Sequence, residues 1–140
     1  MLAIVPLNWL AILMAAIVSM VIWYFWYSPS LFGKAWMKSI GMKKDSMPRK
    51  TNTKTIMGYV YMFVGTVISV LVISILIHAF GITTFSSAAE LALLFWVGSV
   101  AIVKLGDVLW EGKKFNYYVI NIMYYLVSWI VASWILVTWL

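Results

Sequence analysis

Two ionisable side chains, His78 and Glu90, lie near the ends of neighbouring apolar segments. Charged groups are costly inside such segments in a membrane, so they are candidates for function. The two residues flank one short connection, and a His78–Glu90 pair could respond to pH because histidine titrates near pH ~6.5. The alternative is structural, since a glutamate can satisfy early helix N–H groups and an imidazole suits a helix C-terminus. We favour the structural interpretation.

A stripe of polar side chains runs along the last apolar segment. Asn121, Tyr125 and Ser128 share one face of a helix, with Tyr117 and Tyr124 beside them. Polar groups in lipid need partners, and hydrogen bonds between membrane helices contribute about 0.6–2 kcal/mol each. The stripe therefore predicts either bonds that hold this helix to its neighbours or the lining of a cavity or solute path.

Three charged residues follow the third apolar segment at helical spacing. Lys104, Asp107 and Glu111 are placed at i, i+3 and i+7, so one helix face would hold all three as a ladder of ion pairs. Lys104 could also extend its ammonium group to the lipid headgroups. A structural role is again favoured over a functional one.

Other chemistries are disfavoured by what the chain lacks. It contains no cysteine, one histidine and four acidic residues, so we expect no metal site, no cofactor and no thiol chemistry. No nucleophile–base pair or phosphate-binding loop is apparent, which indicates a protein that is not an enzyme. The net charge of +6 does not predict nucleic-acid binding, because the basic residues lie between apolar segments.

Composition predicts the class of protein that must position these residues. The 140-residue chain is 65% hydrophobic and 10% charged, with a mean hydropathy of +1.01, whereas soluble domains carry about 25% charged residues. A membrane helix needs about 20 apolar residues. The sequence therefore predicts a single all-α, polytopic membrane domain over residues 1–140, with no cleaved signal peptide and with transmembrane helices at about 5–27, 55–80, 87–106 and 117–140.

The distribution of basic residues predicts the orientation. All ten lie in or beside the first and third connections, and the second connection has none. Lysine and arginine concentrate in cytoplasmic loops of membrane proteins. We therefore expect a protein of the cell (inner) membrane, with cytoplasmic basic loops and both termini outside.

The first connection contains a predicted interfacial helix at about 29–40, followed by a basic linker at 41–54. Ser28 would cap this helix and Pro29 would occupy its first turn. Apolar residues recur at helical spacing from Leu31 to Ile40, while lysines occupy another face. Such a helix would lie among anionic headgroups on the cytoplasmic side. The side chains expected to contact lipid headgroups are Lys34, Trp36, Lys38, Lys43 and Lys44.

Small residues predict close packing of helices one and two. They recur in the first helix at Ala11, Ala15 and Ser19, and in the second at Gly58, Gly65 and Ser69.

Turn signals separate the later helices. Gly81 suits the end of helix two, and Gly112, less clearly, the end of helix three. Ser87 and Glu90 match a capping box, so helices two and three should form a hairpin.

Three stretches resemble a bacterial and archaeal membrane family known as domain of unknown function 1761. They are WYSPSLFGKAWM at Trp26–Met37, NWLAIL at Asn8–Leu13, and the run from Trp110 to Leu136 with its basic pair before the last helix. The resemblance covers essentially the whole chain, and its specific motif is the first stretch. It implies a four-helix membrane protein and supplies no catalytic residues.

Two functions remain open from the sequence. The polar stripe, with His78 and Glu90, favours a small homo-oligomeric channel or transporter for an ion or small solute. The basic segment after helix one favours a non-transporting accessory or lipid-interacting membrane protein.

Overall fold

Every element that the structure describes is a helix. The computed structural model describes residues 5–42 and 53–139. Its elements are α1 (Trp9–Trp26), α2 (Gly33–Ser39), α3 (Thr53–Ala79), α4 (Phe85–Trp96), a π-helical turn (Val97–Ala101), α5 (Ile102–Leu109) and α6 (Phe115–Thr138).

Four helices are long and apolar enough to cross a membrane, as the composition predicts. They are α1, α3, the continuous span Phe85–Leu109, and α6. Their ends differ from the predicted ranges by one to four residues. The first helix starts at Trp9 rather than residue 5, because the Asn8 side chain caps it by accepting from the Ala11 N–H at 3.1 Å.

Three glycines with positive φ follow helices. Gly41, Gly81 and Gly112 have φ values of 70°, 61° and 69°, which disfavour any side chain. After α3 the Gly81 and Ile82 N–H groups turn back onto the carbonyls of His78 and Ile77. The predicted ends at Gly81 and Gly112 are therefore confirmed.

The predicted capping box at Ser87 and Glu90 is wrong. The helix begins two residues earlier, at Phe85, and its cap is Thr84, whose hydroxyl accepts from the Ser87 N–H at 3.3 Å. Glu90 is consequently inside the helix with an exposed side chain. Thr84 provides the same kind of oxygen as Ser87, and the chain's path out of the Gly81 turn decides between them.

The helix predicted at 29–40 is shorter and starts later. Ser28 does not cap it, because the Ser28 hydroxyl donates back to the Phe25 carbonyl at 2.6 Å. The Ser28 carbonyl instead accepts from both Leu31 and Gly33 N–H groups, which holds the intervening residues in turns. Helix α2 therefore begins at Gly33 and has seven residues. Its place in the headgroup layer stays a prediction.

The core forms where small side chains let the helices approach closely. α6 packs against α1 on one side and α4 on the other, while α3 packs mainly on α1. Alanines at the contacts are fully or almost fully buried, which allows close backbone approach. They are Ala11, Ala15, Ala16, Ala88, Ala92 and Ala132.

The predicted packing of small residues holds for helix one and not for the glycines of helix two. Ser19 is buried with the alanines of α1. A Cβ atom built on Gly58 or Gly65 would meet nothing within 4 Å. Those glycines lie on a face of α3 that the other described helices leave open.

A π-helical turn interrupts the third span. Two aromatic side chains, one on this span and one on α6, form hydrogen bonds between the two helices. Trp96 Nε1 donates to the Ile122 carbonyl at 2.7 Å, and the Tyr118 hydroxyl donates to the Ala101 carbonyl at 2.8 Å. Wider helical turns shift the backbone hydrogen-bond pattern and frequently occur at functional sites. Trp129 stacks on Phe95 with ring centroids 5.4 Å apart, so the mid-span tryptophans Trp96 and Trp129 pack between helices.

The two ends of the bundle are distinct. Asn8 Nδ2 donates to the Trp139 carbonyl at 2.8 Å, which places the start of α1 beside the end of α6. The four antiparallel spans then put α2 and the connection from α5 to α6 together at the opposite end. We call this opposite end, where the described basic residues of both connections lie, including Lys34, Lys38 and Lys113, the basic end.

Candidate functional site

The basic end contains a cavity of about 510 Å³ between α1, α2, α3 and α6. We call it the tyrosine cavity because five tyrosines contribute to its wall. Its lining residues are Trp23, Tyr27, Trp36, Met37, Met42, Thr55, Tyr59, Met62, Lys104, Tyr117, Asn121, Tyr124 and Tyr125. Pockets of about 300–1,000 Å³ with aromatic walls and a few polar groups are typical of small-molecule sites.

Three hydrogen bonds join α1 to α6 along the wall of this cavity. The Tyr27 hydroxyl donates to Asn121 Oδ1 at 2.5 Å, and the Tyr124 hydroxyl contacts the Ser19 carbonyl at 3.4 Å. Trp26 Nε1 donates to the Ile120 carbonyl at 2.9 Å. These bonds fix the end of α1 against the first turns of α6.

Tyr27 lies immediately after α1, at its C-cap. Burial, and next the neighbouring Tyr125, raise the pKa of the Tyr27 hydroxyl above its ordinary value. It therefore remains a proton donor to Asn121 at every physiological pH.

Helix α2 forms part of the cavity wall at the basic end. Trp36 packs edge-on to Tyr27 with ring centroids 5.7 Å apart, and Met37 is buried. Trp26 and Phe32 pack with centroids 4.5 Å apart, which holds the turn before α2 against α1. The predicted headgroup residue Trp36 is thus half-buried and belongs to the cavity wall.

The first glycine of α2 has no room for a side chain. A Cβ atom on Gly33 would overlap the Tyr27 carbonyl oxygen and lie 2.6 Å from the Ser28 carbonyl oxygen. Gly33 therefore lets α2 begin directly against the end of α1, which places Trp36 beside Tyr27. This is a physical reason for a glycine within the Trp26–Met37 motif.

Lys104 brings a positive charge to the cavity. Its Nζ atom lies 3.6 Å from Asp107 Oδ2, and the two side chains are 42% and 20% exposed. Glu111 follows the end of α5 at Leu109, so it cannot share their helix face. The predicted three-membered ladder is therefore wrong in its last member.

The predicted polar residues divide between two regions. Asn121 and Tyr125 line the tyrosine cavity, and Tyr125 also lines a smaller cavity of about 180 Å³ with the buried Ser128. The two cavities share Met62 and Tyr124, so the polar stripe of α6 follows both.

The other two predicted residues lie at the far end. The His78 ring nitrogen Nδ1 bonds the Ser74 carbonyl of the preceding turn at 2.8 Å. Glu90 is exposed on α4, and no ion pair joins it to His78. The His78–Glu90 pair considered from the sequence is therefore wrong.

Sequence reasoning missed most of the cavity wall. Trp23, Tyr27, Thr55 and Tyr59 carried no site prediction, because tryptophan and tyrosine near the ends of membrane helices are typical of an interfacial aromatic belt. A belt and a cavity wall use the same residue types at the same depth. The concentration of tyrosine at the facing ends of α1 and α6 is the one signal that could have indicated the cavity.

The remaining predicted headgroup residues lie apart from the cavity or outside the described chain. Lys34 and Lys38 are exposed on α2. Lys43 and Lys44 fall outside the described residues. Within residues 5–42 and 53–139, no three acidic or histidine side chains come together as a potential metal site.

The other half of the bundle has a packed core. Beyond the cavities the core residues Ile12, Ile73, Ile77, Ala88 and Leu136 are at most 3% exposed. The cavity therefore lies at the basic end and stops at packed side chains of the described helices.

One of three comparisons with known proteins gives a match. A family model described as "Protein of unknown function (DUF1761)" matches residues 10–137. Neither the curated proteins nor the solved structures contain a match to this chain.

Proposed function

Because the chain belongs to the DUF1761 family, whose function is unknown, we propose from its own geometry that it transports a small solute across the cell (inner) membrane. The protein binds the solute in the tyrosine cavity from the basic end, which is the cytoplasmic side. It acts as a homo-oligomer and carries out no chemical reaction on the solute.

The observation that carries this proposal is the tyrosine cavity itself. A purely structural membrane bundle fills its interior, whereas here about 510 Å³ remain open beside polar groups at membrane depth. Asn121, Tyr125 and Lys104 give this space the few polar contacts that a binding site needs.

Transport requires the closed half of the bundle to open, or a path between subunits. The π-helical turn Val97–Ala101 supports the first route, because it interrupts regular packing in the middle of the third span. A Cβ atom on Gly98 in this turn would meet nothing within 4 Å, so the turn has space to rearrange.

The open face of α3 supports the second route. Gly58 and Gly65 are two helical turns apart, and a Cβ atom on either would meet nothing within 4 Å in the described part of the chain. Small residues on membrane helices permit close approach of another helix. A second copy would cover this face and could complete a path beside the smaller cavity, which includes Gly65 and Ser69.

Flux through proteoliposomes tests the proposal. Gradients of inorganic ions, amino acids and small aromatic acids and amines would be applied between about pH 5 and pH 8. A Thr55→Trp variant, which fills the cavity, should abolish the flux. Its control is Ser87→Trp, on the exposed start of α4 at the far end. Absence of flux for every solute, in protein that remains folded, would refute transport.

Orientation has its own test, since the chain contains no cysteine. Single cysteines at Ser87 and Lys113 would be labelled in intact cells with a membrane-impermeant thiol reagent. We expect labelling of Ser87→Cys from outside and of Lys113→Cys only after the cells are opened. The reverse pattern would contradict the proposed topology.

A second candidate function is that of a non-transporting, lipid-interacting protein. A groove of about 590 Å³ with almost entirely apolar walls runs between α1 and α3, along Ile17, Val21 and Val60, and suits an acyl chain. Replacing Lys34, Lys38, Lys43 and Lys44 with glutamine should then reduce the anionic lipid that co-purifies. Unchanged lipid content would count against this candidate.

A further inference from the structure

The polar atoms around the tyrosine cavity are arranged to donate hydrogen bonds. Asn121 Oδ1 already accepts from the Tyr27 hydroxyl. That bond leaves the Asn121 amide N–H₂ as the group available to a ligand. The hydroxyls of Tyr117 and Tyr125 have no partner in the described structure, so both can donate to a bound molecule.

The described lining of the cavity also carries a positive charge. Lys104 is a lining residue, and among the described residues no carboxylate belongs to the lining. Asp107 contacts the Lys104 ammonium from outside the cavity at 3.6 Å. Partly exposed ion pairs are weak, so the ammonium can turn from Asp107 toward a ligand inside.

The remaining wall is aromatic and apolar. Trp23 and Trp36 pack at 6.1 Å and 5.7 Å from the Tyr27 ring, and both line the cavity. Their rings suit a flat or branched hydrocarbon body. Aromatic rings also attract cations, but the Lys104 ammonium opposes a second positive charge at the cavity, and the Asp107 carboxylate beside it lies outside the lining.

We propose that the ligand of the tyrosine cavity is an amphipathic anion, with an apolar or aromatic body and a carboxylate or phosphate group bound by Lys104. The anionic group would lie between Lys104 and the Asn121 amide, where charge-assisted hydrogen bonds are strongest. This inference rests on the proposed function, because it names the class of solute that the same cavity binds.

Three probes that differ in one group test the charge preference. They are 4-phenylbutyrate, its neutral amide, and 4-phenylbutylamine. Each probe is titrated against the protein in phosphatidylcholine nanodiscs, and the tryptophan fluorescence of the protein is measured. We expect the carboxylate to bind about tenfold more tightly than the amide, and the amine most weakly.

Variants of the Lys104–Asp107 ion pair should change the affinity for the ligand in opposite directions for an anion site and for a cation site. Lys104→Gln should remove the preference for the carboxylate, and Lys104→Arg should retain it. Asp107→Asn should tighten carboxylate binding about two- to fivefold, because the ammonium no longer shares its contact with Asp107. Lys114→Gln is the matched control, because this substitution removes the same charge from an exposed lysine at the same end.

The outcomes separate this inference from the proposed function. Tightest binding of the amine, or weaker carboxylate binding by Asp107→Asn, would overturn the anion inference and leave a binding cavity in place. Equal binding of the three probes would overturn it as well. Binding of none of them by folded protein would overturn both the inference and the cavity as a solute site.

The anionic group could belong to a free solute or to a lipid. Adding phosphatidylglycerol to the nanodiscs distinguishes them. If phosphatidylglycerol weakens the binding of 4-phenylbutyrate, and if Lys104→Gln removes this competition, a lipid headgroup is the source of the anionic group. Unchanged affinity would identify a free amphipathic acid. Both results support the anion chemistry.

Discussion

Replacing Gly33 with alanine should destabilise the protein more than its one added methyl group suggests. The new Cβ would overlap the Tyr27 carbonyl oxygen and lie 2.6 Å from that of Ser28, whereas real Cβ contacts essentially never fall below 3.0 Å. Both neighbours are backbone atoms, so no side chain can rotate away. The turn from Ser28 to Phe32 must move instead.

The magnitude follows from what that movement disrupts. Overpacking costs about 1–3 kcal/mol. The shift also weakens the bond from the Gly33 N–H to the Ser28 carbonyl, now 2.9 Å, and such a bond contributes about 0.5–1.5 kcal/mol. We therefore expect Gly33→Ala to lower the free energy of unfolding by about 2–4 kcal/mol. Trp36 would move away from Tyr27, which opens the cavity wall.

Unfolding in mixed detergent micelles, followed by tryptophan fluorescence, measures this change. The matched control is Gly106→Ala in α5, where the new Cβ would lie 3.7 Å from a Trp110 side-chain atom in ordinary contact. A helical Gly→Ala change of this kind should be neutral or stabilising by up to about 1 kcal/mol. Equal stabilities of Gly33→Ala, Gly106→Ala and the unchanged protein would refute the packing argument for α2.

Three further substitutions test single hydrogen bonds with the same unfolding measurement. Asn8→Ala should cost about 1–2 kcal/mol, because it removes the cap of α1 and the bond to the Trp139 carbonyl; retention of full stability would contradict both roles. Tyr27→Phe should cost about 0.6–1.7 kcal/mol, and a double-mutant cycle with Asn121→Leu should show coupling between them. Tyr118→Phe should cost a similar amount, since it leaves the carbonyl at the end of the π-helical turn without that donor. Additive effects in the cycle, or an unchanged stability for Tyr118→Phe, would count against these bonds.

Much of the secondary structure could be predicted from the sequence. Four apolar stretches of sufficient length can only be helices if they cross a membrane, because lipid offers no partner to backbone N–H and C=O groups. The ends at Gly81 and Gly112 were also predictable, since positive φ values favour glycine. The starts of α2 and α4 were harder to predict. Ser28 offers a capping oxygen before α2 but does not cap it. Thr84 and Ser87 both offer one near the start of α4, and local sequence does not choose between them.

The site could be predicted only in part. Asn121, Tyr125 and Ser128 were identified as a polar stripe, and the structure places them along two adjoining cavities. His78 and Glu90 were grouped with them on residue type alone, and the structure separates both from the cavities.

The sequence by itself determined the class of protein, the number of spans and the chemistry available at each end. Only the tertiary structure decided which faces meet, and therefore that tyrosines of α1, α3 and α6 surround one cavity beside Lys104. The reason is physical. In water a helix buries its apolar stripe, so periodicity predicts its inner face. In lipid both the inner and the outer faces are apolar, as the exposed Leu10, Ile68 and Leu94 illustrate, and packing depends on the fit of small side chains between helices.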